Sequence, residues 1–204
     1  MRDTRAELLA QAEILVRGRG YSGFSYGDLA EAVSIRKASI HHHFRTKTDL
    51  ALALVEAYDA RYDAALAAIV AAESNAIARI EAYGRLYLTG VEDGLGCLCA
   101  VLAIERDTLP DTLRADIARF FDKHIAWLEL VLTEGCADGS LRPGLDPVAT
   151  ARMVVATLEG ALLLERLLAG STGFRSTLAS LCDSLRPPGT GSGNALSSGW
   201  GDTI

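Results

Sequence analysis

The chain of 204 residues lacks any uninterrupted apolar run near the ~18 residues that a bilayer-spanning helix needs; stretches such as Gly160–Leu164 fall far short. No membrane partner is therefore expected. The start, Met1–Arg5, is polar and leads straight into an amphipathic segment, so it lacks the apolar centre of a secretory leader and a cytoplasmic location is the plain expectation. No alternating apolar–polar pattern of useful length appears, which argues against a sheet, while the abundance of Ala and Leu favours helices. Four cysteines, at 97, 99, 136 and 182, are not grouped in the two close pairs a structural zinc would want, and disulfides are not expected in a reducing compartment. Gly94-Leu95-Gly96 has no preceding strand and no phosphate-cradle spacing. No nucleophile elbow occurs, and no acid, base, nucleophile or metal set is convincing. An enzyme, a cofactor and a bound metal are accordingly not expected, and no internal repeat is present.

What is present is uneven. The formal charge of −6 disguises a split: residues 1–50 hold eight Lys/Arg against six Asp/Glu, and the remainder holds 12 against 20. An acidic bulk would keep the larger part off a polyanion and leave the amino-terminal part to dock.

The segment Ser25–Lys47, SYGDLAEAVSIRKASIHHHFRTK, reads as two short helices joined by a tight turn. Leu29, Ala30 and Val33 form one apolar side of the first. Ser25 with Asp28 three places on resembles a capping box, with Asp shorter than the usual Glu. Ser34-Ile35-Arg36 breaks the rhythm, and the second helix, Lys37 to Phe44, keeps Ile40 and Phe44 for the core. Lys37, Ala38, Ser39, His41, His42 and His43 are then left outside, flanked by Arg36, Arg45 and Lys47. Such a surface suits a major groove with donors on the phosphates. The three consecutive histidines point ~100° apart and cannot converge on one ion.

The stretch Gly20–Leu50 resembles the DNA-binding domain of the TetR/AcrR family of transcriptional regulators. Gly20-Tyr21, Ser25, Leu29-Ala30, Ile40, His42-His43-Phe44, Lys47 and Leu50 fall on that family's pattern; His41 stands where Tyr is usual. The resemblance implies an all-α protein: an N-terminal three-helix DNA-binding domain with a helix-turn-helix over residues 1–47, then a C-terminal helical bundle for ligand binding and dimerisation over 48–186. A Gly/Ser-rich tail, 187–204, would be disordered. It also implies that Lys37, Ser39 and His41 read base edges while Ser25, Tyr26, His42 and Lys47 anchor phosphates, with Arg36, Ala38 and His43 on the same face. His43 is equally suited to packing or capping within the head.

Helical spacing and breaker residues lay out the remainder. A first helix runs from Thr4 to about Arg17, and a long one from Thr48 to about Ala72, capped by Thr46 or Thr48. A fifth reaches about Thr89, and a short one opens at Cys97 and ends near Asp107. Others run from Pro110 to Ala137, from Asp146-Pro147 to about Ala169, and on to Leu185. Two late apolar faces look too broad to bury once: Val148, Met153, Val154, Leu158, Ala161, Leu162 and Leu163, and then Phe174, Leu178, Leu181 and Leu185. They could meet other helices of the same chain, but the resemblance favours a homodimer through the last two helices, reading a palindrome.

An effector cavity would be lined by candidates Tyr58, Tyr62, Tyr83, Tyr87, Leu98, Leu102, Phe121, His124, Trp127, Leu128 and Leu158, each of which could equally be plain core. A mostly apolar cavity of this kind suits a small lipophilic molecule. Cys97 and Cys99 open a helix whose dipole would lower a thiol pKa. They are either small core residues or, by resemblance to electrophile-sensing members of the family, a thiol sensor. The function so implied is a ligand-responsive DNA-binding regulator, expected to be a repressor. The alternative is an all-α small-molecule-binding protein using its head for protein contacts.

Overall fold

The computed structural model describes residues 3–168 and 170–188, and every regular element among them is helical. The tail expected over 187–204 falls beyond Pro188 outside the described residues.

Asp3 caps α1 (Thr4–Arg19), its carboxylate accepting from the Ala6 N–H at 3.1 Å. Leu8, Ala12 and Val16 recur every fourth residue and are buried. The helix outruns its expected end by two residues and stops at Gly20, whose φ of +85° and contact with the Glu105 carboxylate leave no room for a side chain. Ser25 then caps α2 (Tyr26–Val33), and the box closes in full despite the short Asp28. The Ser25 N–H donates to Asp28 Oδ2 at 2.7 Å, while Ser25 Oγ accepts from the Gly27 and Asp28 N–H groups. Ser34 ends α2 in the left-handed region, φ 58°, and so supplies the sharp turn into α3 (Lys37–His43).

A second capping box, Thr46 with Asp49, starts α4 (Lys47–Ala72), which carries the chain from head to body. The fifth helix is shorter than its periodicity suggests. It breaks into α5 (Ala76–Arg85) and α6 (Leu88–Glu92), with tight bonds from the Leu86 N–H to Tyr83 O and the Tyr87 N–H to Gly84 O. Beside the break Leu178 presses on Gly84 so closely that any Cβ there would collide with it. α7 (Leu98–Ile104) also stops early, in a 3-10 turn at Arg106–Thr108. Pro110 caps α8 (Asp111–Asp138), and Asp146 caps α9 (Pro147–Leu168), accepting from the Val148 N–H at 3.0 Å. α10 (Ser171–Leu185) packs on α9 and α5.

The two late apolar faces need correcting. Phe174, Leu178, Leu181 and Leu185 of α10 are all buried within the chain, as are Val154, Leu158, Ala161 and Leu162 of α9. They meet α8, α9, α5 and one another. Left outside is a stripe on α9 alone: Val148, Met153, Leu163, Leu164 and Leu167, the last 84% exposed. α9 is also long and apolar enough, by length and composition, to cross a bilayer. Its composition follows from having an apolar side packed inward and an apolar stripe facing out.

Candidate nucleic-acid interface and effector site

The face of α3 is open. Arg36, Lys37, Ala38, His41, His42 and His43 are exposed and Ser39 is half-buried, while Ile40 and Phe44 turn into the head core. No acidic residue lies in α3. The His41 ring rests 5.0 Å from that of Tyr26, and its Nδ1 lies 3.2 Å from Arg45 O.

Three expected phosphate anchors are otherwise engaged. Tyr26 is buried, and its hydroxyl donates to Thr46 O at 2.6 Å and lies 3.1 Å from Phe44 O. Burial pushes its pKa up to about 12, so the proton stays on that bond. The Ser25 hydroxyl is spent on the cap, 2.6 Å from Asp28 Oδ2. Lys47 is half-buried, donates to Phe24 O, and sits 4.2 Å and 4.9 Å from the Phe24 and Tyr21 ring centres. Partial burial pulls its pKa down. These residues brace the face from behind: they tie the start of α4 to the α1–α2 loop.

The body holds a polar cluster in an aromatic shell. Tyr83 Oη lies 3.0 Å from His124 Nδ1 and 3.2 Å from Tyr87 Oη, and Tyr58 and Tyr62 share a bond of 3.2 Å. The rings of Phe120 and His124 approach to 4.1 Å, and Trp127 stacks on Tyr83 at 5.6 Å. Burial drives His124 down to about 4, hence neutral at physiological pH, and its Nε2 finds no partner.

The expected cavity residues do not converge on one opening. Leu98, Leu102, Leu128 and Leu158 are fully enclosed core, and Tyr83, Tyr87 and His124 lie within the closed cluster. Tyr58 and Tyr62 reach a polar cleft of about 220 Å³ beside Glu13, Arg17 and Arg61. Phe121 lines a separate groove with Leu109 and Ile117. A further groove of about 220 Å³ runs between α7 and α9, with Cys97, Val101, Ile104, Leu162 and Leu163 as its walls and Glu159 and Arg166 as its charges.

Glu159 was not anticipated. It stands on α9 between Leu158 and Leu162, and a lone acid within an inward stripe was the available signal. Cys97 and Tyr87 neighbour its carboxylate, burial lifts its pKa to about 7, and Oε1 has no hydrogen-bond partner among the described residues. Cys97 does cap α7, but it does not behave as a dipole-activated thiol. It is buried, and burial together with the neighbouring carboxylate raises its pKa; Cys99 is raised in the same way. A seven-residue helix offers too little dipole to outweigh that.

Head and body are stitched beside this groove. Arg17 Nε donates to Gly96 O at 2.7 Å, and the Gly96 N–H returns to Arg17 O at 3.3 Å. Arg166 Nε reaches Gly94 O at 3.2 Å. Glu105, which could have been a solvated helix end, accepts from the Ser22 N–H at 2.9 Å.

Two family models match the chain: "Bacterial regulatory proteins, tetR family" over residues 8–54 and "Tetracyclin repressor-like, C-terminal domain" over 76–181. It is 31% identical over 157 residues to the transcriptional regulator AcuR of Cereibacter sphaeroides, covering 73% of this chain and 70% of that one. It is 28% identical over 190 residues to the repressor NemR of Escherichia coli, covering 91% and 96%. Among solved structures, a TetR-family regulator from Agrobacterium tumefaciens superposes with a TM-score of 0.85 at 32% identity, over 89% of this chain and 97% of that one. Reduced NemR from E. coli gives 0.79 at 28%, over 92% and 100%.

Proposed function

The chain belongs to the TetR family, and from that premise we propose that it represses transcription by holding a palindromic operator as a homodimer until a small effector releases it. It is a ligand-responsive DNA-binding transcriptional regulator. Regulators of this family are generally non-enzymatic, and we assign this chain no catalytic activity and a place in the cytoplasm with its DNA.

One observation carries the docking model: α3 presents Lys37, Ala38, His41, His42 and His43 to solvent without a single acid. In this reading Lys37, Ser39 and His41 meet base edges, while Arg36, His42 and His43 lie along phosphates. The head, residues 1–47, is the docking unit and 48–186 the sensing unit. Ionic contacts make binding fall steeply with salt. The exposed stripe on α9 supports a dimer face there, with the small outer residues of α10 beside it.

Release follows from the stitching. A small, mostly apolar molecule entering between α7 and α9 displaces the chain around Gly96, and Arg17 carries that shift into α1. A difference of ~3 kcal/mol between the two states lowers operator affinity by about two orders of magnitude. An electrophile is a second effector class; Cys97 is the thiol it would meet in the groove, and thiolate formation would then require the groove to open.

Footprinting on the DNA upstream of the protein's own gene tests this. We expect two protected half-sites on one face of the duplex. Absence of preference for any duplex at low ionic strength would overturn the model. Arg17→Ala should keep the footprint but blunt its release by effector.

A further inference from the structure

We infer that the groove between α7 and α9 takes an amphiphilic cation, its apolar body between the two helices and its ammonium head against Glu159. This rests on the ligand-responsive reading above and names the chemistry that the groove prefers.

The walls are almost wholly apolar: Ala100, Val101, Ile104, Leu162 and Leu163. Glu159 is the acid among them. Cys97 and Tyr87 neighbour its carboxylate, yet Oε1 reaches no donor among the described residues. An unpaired carboxylate oxygen away from water is a costly arrangement unless a proton or a cation answers it. No cation among the described residues pairs with it. Arg166 lies in the same groove, but its guanidinium is directed to Gly94 O and, at 3.4 Å, to Gly18 O. Oε1 is closed off from solvent as it stands, so a bound ammonium would provide both the missing donor and the missing charge once the side chain turns its carboxylate into the groove. A neutral alcohol offers only the donor, and a carboxylate meets repulsion. Leu163 also belongs to the exposed stripe of α9, so a second copy seated there would roof the groove and strengthen the field inside it.

Proton linkage adds a signature. The groups that face Glu159 are Tyr62 on α4, Tyr83 on α5, Tyr87 before α6, and Cys97 and Cys99 at the start of α7. All are raised, and none changes charge near neutrality. His124 on α8 is already neutral above about 4. Glu159 alone then titrates around pH 7 in this region. A permanently charged guest selects its ionised form.

The test is calorimetric titration of the full-length dimer with octylammonium, 1-octanol and octanoate, three guests of matched length. At pH 7.5 octylammonium should bind at least tenfold tighter than octanol, with octanoate weakest. Glu159→Gln should level ammonium and alcohol while leaving octanol unchanged. Between pH 6 and pH 8 the affinity of the unmodified protein for octylammonium should rise about tenfold, as the ionised fraction of a group near 7 does. Equal affinities for the three guests, a preference that survives Glu159→Gln, or a flat pH series would each overturn the proposal. The pH series needs no variant and decides the matter even if Glu159→Gln folds poorly. A parallel mobility shift without any guest keeps the two readings apart. DNA binding without ammonium preference removes only this inference. Failure to bind any duplex removes the operator model, whatever the titrations give.

Discussion

The four histidines of the chain occupy two opposite settings, and the contrast explains how one molecule performs two tasks. His41, His42 and His43 lie on the exposed outer side of α3, with His41 Nδ1 beside Arg45 O. His124 lies at the centre of the body, 1% exposed, held by Tyr83 and stripped of its charge by burial. In the docking proposed above, the same side chain serves recognition where water surrounds it and cohesion where water is gone. The tyrosines follow the rule from the other side. Tyr26 sits in the head yet belongs by burial with the body set, its hydroxyl bonded to Thr46 O.

The sharpest way to break this comparison is to truncate a histidine from each setting. His124→Ala should cost about 3 kcal/mol or more, through the cavity and the abandoned Tyr83 hydroxyl, read by urea denaturation. His42→Ala should stay within about 0.5 kcal/mol of the parent in stability while weakening DNA binding. A reversed order would show that the two settings had been misassigned.

Acid titration sharpens the contrast within the body. Glu159 binds its proton more tightly folded, about 7 against 4.5, so its contribution falls as pH rises between those values. His124 binds its proton less tightly folded, about 4 against 6.5, so its contribution rises with pH across 4 to 6.5. Over pH 4.5 to 6.5 the two slopes oppose each other, each worth up to about 3 kcal/mol in total. The parent should therefore show a nearly flat stability profile there. Glu159→Gln should expose the histidine slope, losing stability steadily on acidification in denaturation curves taken at several pH values. A variant as flat as the parent would refute the opposition.

In the head, Lys37→Ala should lower affinity for operator DNA about tenfold and reduce the slope of log affinity against log salt by about 1, checked by fluorescence anisotropy. The smallest effect belongs to the turn. Ser34 holds a left-handed conformation without being glycine, so Ser34→Gly should stabilise the head by roughly 0.5–1 kcal/mol, or about 2–4 °C in Tm, with DNA binding intact.

Much of this was legible in the amino-acid order, for identifiable reasons. Caps are local chemistry: Ser25 with Asp28, Thr46 with Asp49 and Asp146 each sit within three residues of the N–H groups they satisfy. Helix periodicity is equally local. The close approach beside the break at Leu86 was hidden because its partner, Leu178, is about ninety residues away in the chain. The bonds of Tyr26 to Thr46 O and of Lys47 to Phe24 O were not legible because polarity says nothing of which carbonyl a side chain reaches. The same limit applied to α9 and α10: hydrophobic spacing shows that a face is apolar, not whether the chain itself covers it. Glu159 passed unnoticed because a single acid in a helix reads as solvated until the neighbours that exclude water are known.

The junction at Gly96 sets the scale of communication in this molecule. Its carbonyl accepts from Arg17 of the head, and the next residue, Cys97, lines the same groove as Glu159. In the release proposed above, sensor and actuator are thus one peptide bond apart. A guest need not then bend the long α4 helix to be felt at the operator: a shift of one backbone carbonyl removes one of the two partners of the Arg17 guanidinium, the other being Glu13.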